Sequence, residues 1–168
     1  MRNSTIVFLL FIPIFTLIFG CSQTKQYTPR PPVREYQLPG MSANIVEVQI
    51  NDLRPDSNRD EGLKNVLKGQ LLAAFSSQPG HQKINRYTLI VDIIEHRSFF
   101  TLGNWNASTR FRIRLKDPAG NIIGQWNAMG TAIRSNIWGF ATAEAVSQDS
   151  YDIAVADMMS NLSQVSIR

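Results

Sequence analysis

The succession of hydrophobic patterns predicts an α+β domain: a two-layer sandwich whose four-stranded mixed sheet carries two helices on one face, in the order β-α-β-β-β-α. Three observations predict it. Four stretches read as strands, either alternating or apolar throughout; two longer stretches repeat apolar residues at spacings of three and four; and the turn Asp117-Pro118-Ala119-Gly120-Asn121 separates two strands whose faces agree in a single pairing.

The first strand is read at Asn44 to Ile50, where Val46, Val48 and Ile50 alternate with Glu47 and Gln49. Asn51-Asp52-Leu53-Arg54-Pro55-Asp56-Ser57 is turn chemistry, and Ser57 or Asp60 is placed to cap the helix that follows. Leu63, Val66, Leu67, Leu71, Ala74 and Phe75 give that helix one apolar stripe, and Gln78-Pro79-Gly80 ends it. A second strand, Tyr87 to about Ser98, is rich in Leu, Ile and Val on both faces, as expected of a central strand. The third, about Asn106 to Lys116, alternates cleanly, and the fourth runs from Ile122 to about Ile133. With Asp117 opposite Ile122, Ile113 faces Trp126 and Phe111 faces Ala128 on an apolar side, while Arg112 faces Asn127 and Arg114 faces Gln125 on a polar one. The last helix begins between Gly139 and Thr142 and continues toward Gln164, burying Tyr151, Ala154, Val155, Met158, Leu162 and Val165.

This connectivity brings three loops to one end of the sheet: Asn51 to Asp60, Phe99 to Trp105, and Arg134 to Phe140. Phe99, Phe100, Leu102 and Trp105 in the second, and Ile137, Trp138 and Phe140 in the third with Arg134 beside them, make a candidate partner-binding rim, because aromatic residues and Arg carry much of the energy of interfaces. The alternative is that these rings fold back and close the open end of the core. Arg110, Arg112, Arg114 and Lys116 project from one face of the third strand, about 6 to 7 Å apart, as a candidate anion-binding ladder for lipid phosphates, acidic glycans or an acidic protein. The plainer alternative is a solvated face compensated by Asp92 or Glu95 of the neighbouring strand.

Composition excludes several classes. A formal charge of +4 at pH 7 is a mild excess without the basic cluster that nucleic-acid binding leaves, so no nucleic-acid partner is expected. His81 and His96 share no metal-ligand spacing, and neither a Gly-x-Ser-x-Gly elbow nor a phosphate-binding glycine loop is present. Asp92, Glu95 and His96 are close in sequence, but Asp92 and Glu95 are expected on opposite faces of their strand. No enzymatic activity, metal or cofactor is therefore expected.

Ahead of the domain, residues 1–20 have the layout of a secretory signal: Arg2, an apolar core from Ile6, and a small residue, Gly20, before the only cysteine. The run is too short to span a bilayer, which needs about 18 or more apolar residues. Ile18-Phe19-Gly20-Cys21 resembles the lipobox of bacterial lipoprotein precursors. That resemblance implies cleavage before Cys21, diacylation of its thiol and acylation of the new amino group; Ser22, in place of a retaining Asp, implies the outer membrane, periplasmic side. Loss of Arg2 with the signal lowers the formal charge to +3. Residues 21–40, with Pro29, Pro31, Pro32 and Pro39, are read as the lipidated cysteine and a tether that rises about 3.1 Å per residue where polyproline-like. The tether is expected to enter at the end opposite the rim; the alternative is a peptide packed on the domain through Tyr36 and Leu38. Residues 41–168 then form a single domain.

The segment Val48-Gln49-Ile50-Asn51-Asp52-Leu53-Arg54, the amphipathic helix, the strand meander with Gly120 in its turn, and the closing helix through Ala154-Val155-Ala156-Asp157-Met158 resemble the YajG-like bacterial lipoproteins. The resemblance implies an outer-membrane lipoprotein of this fold and carries over no catalytic residue. The function expected from these readings is a lipid-anchored, non-enzymatic binding or assembly module for an envelope protein. A lipid- or lipopolysaccharide-handling accessory is the second expectation, and a periplasmic hydrolase the third.

Overall fold

A computed structural model describes residues 27–31, 36–38, 45–55, 59, 61–75, 86–136 and 138–165. Cys21, Ile137, His81 and the signal segment lie outside the described residues. The elements are β1 (Ile45–Asp52), α1 (Glu61–Phe75), β2 (Tyr87–Thr101), β3 (Asn104–Lys116), β4 (Ile122–Ser135) and α2 (Ala143–Ser163). The strands lie in the order β1-β2-β3-β4, with β1 parallel to β2 and the other pairs antiparallel. This is the two-layer α+β arrangement predicted, both helices covering one face of the mixed sheet.

The core is one cluster. Leu63, Leu67, Leu71 and Ala74 of α1 meet Leu89, Val91 and Ile93 of β2, Phe111, Ile113 and Leu115 of β3, and Tyr151, Ala154, Val155, Met158 and Leu162 of α2. In β1 a register shift between Ile45 and Glu47 brings Ile45 into phase with Val48 and Ile50, so all three join the core. Thr142 caps α2, its hydroxyl accepting from the Ala145 N–H at 3.1 Å. The register read from the Asp117 to Asn121 turn is the observed one: Ile113 pairs with Trp126, Phe111 with Ala128, Arg112 with Asn127 and Arg114 with Gln125. The Asp117 carboxylate accepts from the Asn121 N–H at 2.8 Å and its side-chain amide at 3.2 Å, which fixes that turn chemically.

Three expectations are corrected, and each correction changes the site. A bulge in β2 between Ile93 and Glu95 inserts one residue into the alternation. Asp92 pairs with Arg112 and Glu95 with Arg110, so the two carboxylates share the outer face, away from the helices, rather than lying on opposite faces. The second correction is the turn between β2 and β3. Thr101 pairs with Asn104, leaving a two-residue hairpin of Leu102 and Gly103, so Phe99, Phe100 and Trp105 are strand residues and not loop residues. Because β1 ends opposite Ile93, the upper part of the sheet is three-stranded, and the segment after β1 sits at mid-height instead of joining the other two loops at the tip.

Both central residues of the hairpin have positive φ, +47° at Leu102 and +77° at Gly103, as a type I′ turn requires. A leucine in that region crowds its Cβ against the following carbonyl, at about 1 kcal/mol, and here the side chain recovers nothing by burial, being 96% exposed. Leu102→Asn is therefore expected to raise the stability of the domain by about 1 kcal/mol, read as an upward shift in the denaturant midpoint with an unchanged slope.

Candidate functional site

The apolar residues of the tip come from two turns held together. The Asn136 N–H donates to the Gly103 carbonyl at 2.8 Å, so the segment after β4 is pinned to the hairpin. Asn136 also shapes its own turn: its carbonyl accepts from the Gly139 N–H at 3.0 Å and its side-chain oxygen from the Ala141 N–H at 2.9 Å. Gly139, at φ +76°, makes the reversal that lifts the two flanking aromatics outward. Trp138 is 82% and Phe140 89% exposed, as is Leu102, at 96%, on the hairpin to which their turn is bonded. Of the other candidate partner-binding residues, Phe100 and Trp105 pack edge to face at 5.3 Å, on the side of the sheet that carries the helices, and Phe99 lies on the outer face under the Arg97 guanidinium at 5.6 Å. Arg134 binds Asp149 of α2 through two bonds of 2.6 and 2.9 Å, an ion pair that raises its pKa further and staples β4 to the helix. The rim is thus divided: Trp138, Phe140 and Leu102 point into solvent, while Phe100, Trp105 and Arg134 are engaged by neighbours.

The arginine ladder is compensated in the main. Asp92, fully buried, accepts from Arg112 Nε at 3.0 Å, from Arg114 at 2.8 and 2.9 Å, and from the Asn51 amide at 2.9 Å. Burial raises the pKa of this carboxyl, but the bonds from Asn51, Arg112 and Arg114 outweigh burial and hold it below the usual carboxylate range. Glu95 takes Arg97 at 2.7 Å and Arg110 at 3.3 Å. Lys116 follows at the lower end of the strand. On the outer face of β2 and β3, five cations, Arg97, Arg110, Arg112, Arg114 and Lys116, meet two carboxylates, Asp92 and Glu95. A shallow cleft at the edge of this face is lined by Arg54, Pro55, Ile94, Glu95, His96 and Arg97, while the ring of His96 points to the helix side, where it meets Thr109.

That ring anchors a polar network under α2. Nδ1 meets the Thr109 hydroxyl at 2.9 Å; the Thr109 hydroxyl meets Ser150 at 2.9 Å; Ser150 donates to the Ser147 carbonyl at 2.9 Å. Nε2 lies 2.9 Å from the Tyr27 carbonyl, which can only accept, so Nε2 carries a proton. The N-terminal segment is thereby docked in the upper half of the domain. Pro29 is buried, and the backbone of Arg30 exchanges two hydrogen bonds with the Gln148 amide, at 2.7 and 3.0 Å. Lower down, Leu38 joins the core and its N–H donates to the Ala74 carbonyl at 3.2 Å. The Pro-rich stretch therefore lies against the domain wherever it is described, and it passes Tyr27 beside the upper strands rather than entering at the opposite end. Tyr36 and Leu38, the two residues through which the sequence allowed this stretch to pack on the domain, both meet the core, whereas the buried histidine that faces the distant Tyr27 carbonyl has no sequence signature.

Among the described residues no group of three His, Cys, Asp or Glu side chains is placed to hold a metal ion, and no helix is long and apolar enough to cross a membrane. No family model and no curated protein matches the sequence. Among solved structures the chain is similar to a "putative lipoprotein" of Caulobacter crescentus CB15, with 15% identity, 74% of this chain and 90% of that chain covered, and a TM-score of 0.46. It is also similar to a "putative neuraminyllactose-binding hemagglutinin homolog" of Helicobacter pylori, with 13% identity, coverage of 83% and 90%, and a TM-score of 0.47. A third, lipoprotein GNA1162 of Neisseria meningitidis, has 11% identity, coverage of 70% and 99%, and a TM-score of 0.39. At these values the likeness concerns the course of the chain and implies nothing about activity.

Proposed function

We propose that this chain is a non-enzymatic lipoprotein of the bacterial envelope, anchored through acyl chains on Cys21 to the periplasmic side of the outer membrane, whose domain is a binding module that engages another envelope component through its apolar tip. The observation that carries the reading is the exposure of Leu102, Trp138 and Phe140 on two turns that hydrogen bonds hold in place. Rigid, desolvatable aromatic and aliphatic groups at the end of an otherwise well-packed domain are the material of a contact surface. The lipobox and the YajG-like pattern support the anchor and the location. Engagement of the arginine ladder by Asp92 and Glu95 supports placing the contact at the tip, since a lipid-handling groove along β3 would need those guanidinium groups available. The separation of the His96 ring from Glu95 supports a role without catalysis.

Photo-activated crosslinkers at position 138 or 140 in intact cells test it, with Gln125, exposed on the outer sheet face, as the control position. Adducts with an envelope component are expected from the tip and not from the control. Equal yields from both, or none from the tip, would overturn the reading.

A further inference from the structure

We infer that the tip is a membrane contact: Leu102, Trp138 and Phe140 enter the interfacial layer of the same bilayer that holds Cys21, so that the domain stands tip-down on the membrane instead of swinging from a free tether. The inference rests on the proposal that Cys21 is acylated and that the tip is the contact surface, and it names the partner of that surface.

Chain length decides which end of the domain can reach the lipid. Tyr27 is fixed beside His96, and six residue steps separate it from Cys21. Fully extended, six residues span at most about 21 Å. His96 lies five residues below Thr101 on β2, about 17 Å along the strand. The leash is therefore long enough to bring the acylated residue level with the tip. Tyr87 at the other end of β2 lies nine residues below His96, about 30 Å away, with the Asp117 to Asn121 turn at the same end. With Tyr27 docked, a leash of that length cannot bring Cys21 level with that end, so the domain cannot stand on it. The exposed pair Ile122 and Ile123 belongs to it and is out of reach.

Chemistry agrees with geometry. Tryptophan and phenylalanine with an aliphatic neighbour are the residues that settle at the boundary between headgroups and acyl chains. Leu102 holds a left-handed backbone conformation that asparagine or glycine would adopt with less strain, and its side chain packs against nothing that would compensate. A leucine there serves a surface outside the domain. On the part of the outer face nearest the tip, Arg97 and Arg110 share the single carboxylate of Glu95, which leaves one positive charge in excess, the sign that suits anionic headgroups.

The test is tryptophan fluorescence of the full acylated chain, reconstituted in phosphatidylethanolamine and phosphatidylglycerol vesicles in which one lipid is brominated high on its acyl chain. Wild type is compared with Trp138→Phe, which alters a side chain that is mostly in water and so leaves the fold alone. Quenching and a blue shift are expected in the wild type on reconstitution, the quenched fraction falling at least threefold in Trp138→Phe. Leu102→Asn, which relieves the turn, is expected to lower the quenching of Trp138 while the protein becomes more stable. Equal quenching of wild type and Trp138→Phe, or none in either, would overturn the membrane contact. If that result coincides with capture of an envelope protein by crosslinkers at position 138 or 140, the binding-module reading stands and only its membrane partner falls. If the crosslinkers also capture nothing, both fall.

Discussion

Replacing Gly130 with alanine is expected to cost the domain about 3 kcal/mol and to lower its melting temperature by about 10 °C, although the substitution adds one methyl group to a position in the middle of a strand. Gly130 lies on β4, opposite Thr109, where α2 crosses the sheet. A Cβ built there collides with the Ser150 carbonyl and stands 2.6 Å from the Ala154 backbone nitrogen and 3.0 Å from the Ile153 Cβ. Two of those neighbours are helix backbone, which cannot rotate away as a side chain would, so relief requires α2 to lift from the sheet. Lifting α2 loosens Tyr151, Ala154, Val155 and Met158, all fully buried, and stretches the Thr109 to Ser150 hydrogen bond. Thr131→Ala, the neighbouring exposed position on the outer face, is expected to change stability by less than about 0.5 kcal/mol. Thermal unfolding of the pair checks the claim, and a Gly130→Ala melting point within 2 to 3 °C of wild type, about 1 kcal/mol or less, would refute close helix approach.

The sheet was legible in the sequence where its pattern was local. A turn with fixed chemistry between two alternating strands leaves a single register that keeps both faces consistent, which is why the pairing of Phe111 with Ala128 and of Arg112 with Asn127 could be read in advance. The bulge at Ile93 to Glu95 could not, because alternation assumes one residue per step. Asp92 and Glu95, polar and three apart within an isoleucine-rich strand, are the trace such a slip leaves. The hairpin at Leu102 was missed for a related reason: type I′ turns are recognised by Asn or Asp before Gly, and a leucine in that place reads as part of a longer loop. Gly130 carried a usable signal, since glycine inside a strand marks a close approach, but its partner lies in another element. The candidate site was half legible. Composition picked out the tip aromatics, yet which of them face water depends on strand phase and on the bonds of Asn136, neither of which is local. The docking of Tyr27 was illegible, because a backbone carbonyl looks the same in every residue.

Asp92→Ala is expected to destabilise the domain by about 3 kcal/mol and to flatten its dependence on acid. The wild-type carboxylate is fully buried and links three strands, taking Asn51 from β1 and both Arg112 and Arg114 from β3. Removing it leaves the guanidinium groups of Arg112 and Arg114 without the carboxylate that bridges them, and Arg114 Nε is already buried without a partner among the described residues. Because both arginines keep partial contact with water, the effect falls at the low end of what breaking a buried ion pair costs, about 3 to 5 kcal/mol. The pH dependence follows from the direction of the shift. A carboxyl whose folded pKa lies below its unfolded value of 3.8 contributes its full stabilisation above that value and loses it as pH falls through the folded pKa. Wild type should therefore lose stability steeply below about pH 4, and Asp92→Ala, already lacking the contribution, should lose less over the same interval, so that the two curves converge in acid. Denaturant unfolding at pH 7 and at successive values below 4 measures both; curves that stay parallel would mean that Asp92 is not the carboxylate on which the acid sensitivity of this sheet depends.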